Sequence, residues 1–158
     1  MTLTVVLALA FLIGCVCGLR SMTGPALVCW GAHFGWLQLD GSKLGFLHNN
    51  ISLAVFTLLA LGELVADKLP FIPSRITPGP LVVRFLFGAV CGVAFCVSSG
   101  AAWLLGAILG GIGAVAGAYA GYHLRYRLTT ASGLPDIVVA LVEDVVAIGG
   151  GLLIVSRF

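Results

Sequence analysis

Apolar stretches long enough for membrane helices follow one another along almost the whole chain, and this feature constrains the fold most. A helix needs roughly 20 apolar residues to cross a bilayer. Only 9% of the 158 residues are charged, whereas a soluble domain has about 25%. We predict an all-α membrane protein of five or six transmembrane or re-entrant helices, forming a single transmembrane domain over residues 1–158. The apolar segments are Thr4–Leu19, Ala26–Leu39, Ile51–Ala66, Pro80–Val97, Ala101–Gly121 and Pro135–Val155.

The second segment is the ambiguous one. Ala26–Leu39 holds about 14 residues, which is marginal for a full crossing and typical of a half-helix or re-entrant element. A polar loop follows it at Asp40–Asn50, and a tight turn is predicted at Ser98–Gly100. Both a crossing and a re-entrant path therefore stay open for residues 26–39.

The fifth segment carries glycines at four-residue spacing, which places them on one helical face. A neighbouring backbone can approach closely along such a face, so we predict a helix-packing seam and also a candidate interface between subunits. The glycines are Gly106 and Gly110, then Gly113, Gly117 and Gly121.

The residues that usually mark chemistry form no recognisable site. The five cysteines lie in apolar stretches without zinc-type spacing, and the three histidines lie far apart. No catalytic Ser–His or Cys–His signature and no phosphate loop occurs. The net charge of +2, without a basic run, gives no reason to expect nucleic acid. We therefore expect no enzyme activity, no catalytic residue, no cofactor and no metal.

Two short patterns occur twice. Arg-x-x-x-Gly-Pro begins at Arg20 and again at Arg75, and Ala-Leu-x-Glu-x-Val surrounds Glu63 and Glu143. Internal repeats with interrupted helices are common in transporters, which bind substrate where the repeats meet. We predict two structural repeats, 1–70 and 71–158, whose relation could be parallel or inverted.

The Arg-x-x-x-Gly-Pro pattern has a definite chemistry. Proline suits the first turn of a helix, and the free N–H groups there attract anions. Two such helix starts with their arginines could form an anion-binding pocket; alternatively, the arginines reach lipid phosphates at the membrane surface. The predicted substrate-binding residues are Arg20, Ser21, Thr23, Gly24, Pro25, Arg75, Gly79, Pro80 and Arg84.

Four acidic residues complete the candidate site. Glu63 and Asp67 are four residues apart near the end of the third segment, and Glu143 and Asp144 lie deep in the sixth. A carboxylate inside a membrane is expensive unless it is paired, protonated or hydrated. We predict that these acids either carry coupling charge or form ion pairs with the arginines.

Basic residues predict the orientation. Lys68, Arg75 and Arg84 flank one connection, and Arg125 and Arg127 lie in another. Two helices separate these connections, so both lie on one side, which the positive-inside rule makes cytoplasmic. The C-terminus then faces out, and so does the N-terminus if residues 26–39 cross. We expect a multi-pass protein of the bacterial inner membrane.

Three stretches resemble a known family. Gly18–Ala26, Gly62–Pro70 and Pro73-Ser74-Arg75 look like the signature stretches of a family of small bacterial membrane proteins that is catalogued only as a domain of unknown function. The resemblance covers most of the chain, including the late Val142-Glu143-Asp144 stretch, and departs from the family at Ile76, where threonine is usual. It implies a membrane location and supplies no substrate.

The leading functional hypothesis is a small transporter or channel for an anionic solute, with or without proton coupling. The alternatives are a flippase or binder of anionic, phosphorylated lipids and a structural or assembly protein. The expected partners are membrane lipid, a small anionic solute and further copies of the chain, as a dimer or higher homo-oligomer.

Overall fold

The computed structural model describes residues 1–66, 76–131 and 135–158. Those ranges contain six α-helices, one short 3-10 helix (Gly45–His48) and no strand. The prediction of an all-α fold is confirmed, and each predicted apolar segment overlaps one helix. The helices are α1 (Leu3–Leu19), α2 (Thr23–His33), α3 (Asn50–Ala66), α4 (Pro78–Ser98), α5 (Trp103–Ala131) and α6 (Asp136–Val155).

Both Gly-Pro elements begin a helix, in the same register. Glycine is the second residue and proline the third in α2 and in α4. Thr77 precedes α4 in an extended conformation, and Pro78 occupies the first helical position. Proline fits there because its missing N–H is not needed in the first turn. Gly100, with a φ of 71°, makes the predicted turn between α4 and α5.

Glycines join α1, α4 and α5 into a tight three-helix group, which we call the glycine scaffold. A Cβ added to Gly106 or Gly110 would overlap carbonyl oxygens of α4, and one added to Gly113 or Gly117 would overlap carbonyl oxygens of α1. α5 therefore packs backbone against backbone on both α1 and α4, and these two helices also pack on each other. The predicted seam exists, and it is filled within the chain rather than left open to another subunit.

The chain crosses between α1 and α3 instead of re-entering. Ser21, just after α1, contacts Glu63 near the end of α3, so these two helices run in the same direction. The Gln38 N–H donates to Ser98 Oγ over 2.8 Å, at the opposite end of α4. The 11-residue α2 covers only about 16 Å of the distance between the two ends of the bundle. Irregular chain and the 3-10 helix cover the rest.

The outer surface is apolar, as expected of a membrane protein. α4, α5 and α6 are long and apolar enough to cross a bilayer, and α1 and α3 are shorter apolar helices. Large apolar side chains are exposed on each of these five helices. No polar layer covers them in the part of the chain that the structure describes, so the protein places these side chains against lipid tails.

α5 is longer than its sequence segment. The apolar segment was predicted to end at Gly121, whereas the helix continues for ten more residues to Ala131. Its 29 residues span about 43 Å, against a hydrocarbon core of about 30 Å. The extra turns carry Tyr126 and Arg127 and lie at the end of the bundle where α1 ends.

The two repeated patterns lie in helices of different relative direction. The Gly-Pro starts belong to α2 and α4, which both begin at the same end of the bundle. Glu63 lies near the end of α3, but Glu143 lies in the first half of α6, and these two helices run in opposite directions. The Gly-Pro pattern matches two helices of the same direction, whereas the glutamate pattern matches two helices of opposite direction. The repeats 1–70 and 71–158 therefore stay a prediction.

Candidate functional site

Arg20 is the most deeply buried charge in the described ranges. It follows α1 directly, and its side chain is 0% exposed. Its Nη2 forms an ion pair with Asp144 Oδ1 of α6, and its Nη1 lies 3.4 Å from the Glu63 carbonyl oxygen of α3. A cation at the C-terminus of a helix also interacts favourably with the helix dipole. Arg20 points into the bundle, so the alternative in which it reaches lipid phosphates is wrong.

The start of α2 binds an anion that belongs to the chain itself. Glu63 Oε1 accepts hydrogen bonds from the Ser21 N–H over 2.7 Å and from the Ser21 hydroxyl over 2.8 Å. Its Oε2 accepts one from the Met22 N–H over 2.8 Å. Free N–H groups before a helix form an anion-binding cradle, and the Glu63 carboxylate occupies this one.

Arg84 connects the cradle to the end of α1. Its Nε donates to the Gly18 carbonyl oxygen over 3.0 Å, and its Nη2 lies 3.8 Å from Glu63 Oε1. The side chain is only 6% exposed, so Arg84 does not reach the membrane surface either. One guanidinium thus satisfies a helix-terminal carbonyl and faces the carboxylate in the cradle.

We call Arg20, Ser21, Glu63, Arg84 and Asp144 the central cluster. It joins the ends of α1 and α3 with the starts of α2 and α4 and the middle of α6. Two arginines face two carboxylates, so the described cluster carries no net charge. Buried ions are tolerated when they are paired and hydrogen-bonded, and these contacts meet that condition.

The remaining residues of the first Gly-Pro element pack rather than line a cavity. Thr23, Gly24 and Pro25 are buried. A Cβ on Gly24 would overlap the sulfur of Cys17, whose Sγ lies 3.7 Å from Cys91 Sγ. Gly24 thus brings α2 close to α1, in place of the predicted close approach to a ligand.

The second Gly-Pro element lies away from the central cluster. Gly79 is exposed, with no neighbouring atom within 4 Å of the position that a Cβ would take, and Pro80 is partly exposed. Among the described residues of this element, Arg84 reaches the cluster, and Gly79 and Pro80 do not. Arg75 and Asp67 lie outside the described residues.

Glu143 faces a second charged group, separate from its neighbour Asp144. Its Oε2 lies 3.9 Å from Arg125 Nη1 of α5. Arg125 also makes two hydrogen bonds to Asp136, of 2.8 and 2.6 Å. Adjacent residues on a helix point about 100° apart, and this separates the two acids. The structure brings Asp144 to the central cluster and leaves Glu143 outside it.

Sequence reasoning had not assigned Arg125, Asp136 or the backbone N–H of Met22 to a site. Asp136 and Glu143 are seven residues apart and therefore share a helix face, which could have indicated a common partner. The Met22 N–H leaves no sequence signal, because every residue except proline has one. Within residues 1–66, 76–131 and 135–158, no three His, Cys, Asp or Glu side chains are grouped to hold a metal ion.

Comparisons with known proteins identify a family and no function. Neither a curated protein nor a solved structure matches the chain. A family model, described as a domain of unknown function (DUF4126), matches residues 7–156. The match includes all five residues of the central cluster. The chain therefore belongs to the DUF4126 family.

Proposed function

We propose that this protein is a small transporter or channel for an anionic solute and that the central cluster is its solute site. One observation carries the proposal. The N–H groups at the start of α2, the Ser21 hydroxyl and Arg84 surround the Glu63 carboxylate. A site built for a carboxylate that the chain itself supplies can also bind a carboxylate or phosphate from outside, in exchange for Glu63.

The helix that carries Glu63 supports this exchange. α3 has no fully buried residue and packs on α2 and the 3-10 helix, whereas the scaffold helices are locked by their glycines. Moving α3 away would withdraw Glu63 from the cradle and disturb few buried side chains. The described structure is then the closed state, with the internal anion bound.

Proton coupling follows from the same exchange. When a solute takes its place, Glu63 loses the N–H donors and the nearby arginine. A carboxylate without partners in an apolar layer is costly, and a proton removes its charge. Each bound anion would then be accompanied by one proton.

The cation-rich end of the bundle supports a cytoplasmic orientation for the cluster. Arg125 and Arg127 lie near the end of α5, at the end of the bundle where α1 ends. The positive-inside rule places this end in the cytoplasm, so both chain termini face outward. We propose a bacterial inner-membrane location and a homo-oligomer, dimer or higher, with an interface other than the glycine scaffold.

Flux measurements in proteoliposomes test the proposal. We expect purified protein to exchange labelled carboxylates or phosphates across the membrane, and Arg84→Gln to abolish the exchange. Arg157→Gln, a charge change at the opposite end of the bundle, is the matched control and should transport normally. No flux of any anion, or full flux in Arg84→Gln, would contradict the proposal.

Two other functions give different results in the same experiment. A structural role predicts that Arg84→Gln lowers stability while the wild type transports nothing. Handling of anionic lipids predicts movement of a labelled phospholipid between leaflets, without flux of soluble anions. The enclosure of Arg20 favours the soluble solute, because a lipid at Arg20 needs a lateral opening.

A further inference from the structure

A groove between α5 and α6 lies beside the central cluster and plays no part in the proposed exchange. It encloses about 100 Å³. Leu19, at the end of α1, contributes to its lining, and most of its wall is leucine and valine side chains. The remaining lining residues are Gly121, Leu124, Arg125, Leu128, Val139, Val142, Glu143 and Val146.

A basic surface adjoins this groove on α5. His123 and Arg127 line an open pocket of about 540 Å³ together with Ala120 and Leu124. Leu124 lines both the groove and the pocket, so the apolar and the basic parts are continuous. His123 stacks on Tyr119 and meets Tyr122 edge-on, which holds its ring at this surface.

The charges of the surface select an anion. Arg125, which lines the groove, is engaged by Asp136 and Glu143. Arg127 is exposed, and among the residues that the structure describes it has no acidic partner. A phosphate at Arg127 and His123 would therefore meet positive charge without displacing an existing ion pair.

We propose that this combined surface binds one anionic phospholipid. Part of an acyl chain lies in the α5–α6 groove against Leu124 and Val142, and the phosphate contacts Arg127 and His123. Basic pockets between membrane helices on the cytoplasmic side are suited to such headgroups. The extension of α5 past its apolar segment places Arg127 at the depth of the headgroups. This site is separate from the central cluster and does not depend on the proposed transport.

Lipid retention measured by native mass spectrometry tests the inference on the full chain in detergent. Dioleoylphosphatidylglycerol and dioleoylphosphatidylcholine are titrated in parallel. We expect the wild type to retain one phosphatidylglycerol preferentially, and Arg127→Gln to weaken that retention about fivefold. Arg157→Gln should retain the lipid normally. Equal retention of both lipids by the wild type, or unchanged retention in Arg127→Gln, would overturn the proposal.

Two further arms separate the phospholipid from a free phosphate. Val142→Phe fills the groove without changing charge and should also weaken retention of phosphatidylglycerol, because the acyl chain loses its place. Glycerol phosphate, which has the headgroup chemistry but no acyl chain, should not displace the lipid at equal concentration. Displacement by glycerol phosphate, or normal retention in a folded Val142→Phe, would contradict a phospholipid site.

Discussion

Two sides of the bundle are held together by opposite kinds of residue. α1, α4 and α5 meet through glycines that have no side chain, whereas α3 and α6 contribute carboxylates that pair with arginines at one end of the bundle. Helices that pack backbone against backbone fit together in one arrangement, because a Cβ added to a scaffold glycine overlaps a carbonyl oxygen of the neighbouring helix. Ionic groups can exchange partners. The comparison teaches that close backbone packing and exchangeable ionic contacts occupy different parts of this fold.

The largest expected effect comes from breaking an ion pair on the charged side. Arg20→Gln removes the buried cation that pairs with Asp144, so we expect the unfolding free energy to fall by about 3–5 kcal/mol. Unfolding in a mixed-micelle denaturant titration, followed by circular dichroism, measures the change. The double variant with Asp144→Asn removes both charges and should recover most of the loss. No recovery would mean that Arg20 acts through packing alone.

A smaller loss is expected on the scaffold side. Gly110→Ala places a methyl group against the carbonyl oxygen of Gly88, and such overpacking costs about 1–3 kcal/mol. The same titration measures it. Gly149→Ala in α6 is the matched control, because no neighbouring atom lies within 4 Å of the added Cβ. It should be neutral or slightly stabilising; equal losses in both variants would argue against a tight scaffold.

Weakening the internal anion should strengthen binding of an external one. Glu63→Gln replaces a carboxylate in the cradle by a neutral amide, which holds the N–H groups of Ser21 and Met22 less strongly. The solute then competes with a weaker occupant, and we expect its affinity to rise about tenfold, a change of about 1.4 kcal/mol. Binding of the transported anion by calorimetry measures this. Weaker binding would show that Glu63 helps to hold the solute instead of competing with it.

The smallest expected effect is that of a cross-link inside the glycine scaffold, which is compared with a link to α3. Oxidative cross-linking of Cys17 to Cys91 joins α1 to α4 inside the packed region, where the two sulfurs are 3.7 Å apart, and it should leave flux unchanged. Phe56→Cys and Phe87→Cys, in a background without the native cysteines, replace two rings in contact between α3 and α4, and a bifunctional thiol reagent that spans the gap can join them. That link should stop flux by holding α3. Equal sensitivity to both links would remove the distinction between a rigid and a moving part.

The sequence predicted the helices well because each signal was local. Gly-Pro marked the starts of α2 and α4, and glycine spacing marked the packing face of α5. The end of α5 was missed, since a helix can continue past the membrane on polar residues such as Arg127. The sequence could not decide whether residues 26–39 cross or re-enter, because a short helix followed by irregular chain fits both paths. The end of the bundle at which α3 begins decides between them.

The candidate site was predicted only in part. Glu63 and Asp144 were selected because charges are costly inside an apolar chain, and Arg20 and Arg84 were selected with the Arg-x-x-x-Gly-Pro patterns. The structure brings these four together. Their pairing was not predictable, since nothing local shows that Asp144 turns inward while Glu143 faces Arg125. The occupant of the α2 cradle was also missed, because Glu63 reaches it only after α3 has packed beside α2.

The charge balance of the central cluster has a consequence for energetics across the membrane. Moving one elementary charge through a potential of 100 mV involves about 2.3 kcal/mol. In the proposed exchange, a monovalent anion replaces a carboxylate that takes up a proton, so the described cluster carries no net charge before or after. Membrane voltage would then neither drive nor oppose the cycle. The concentration gradients of the solute and of protons would set its direction.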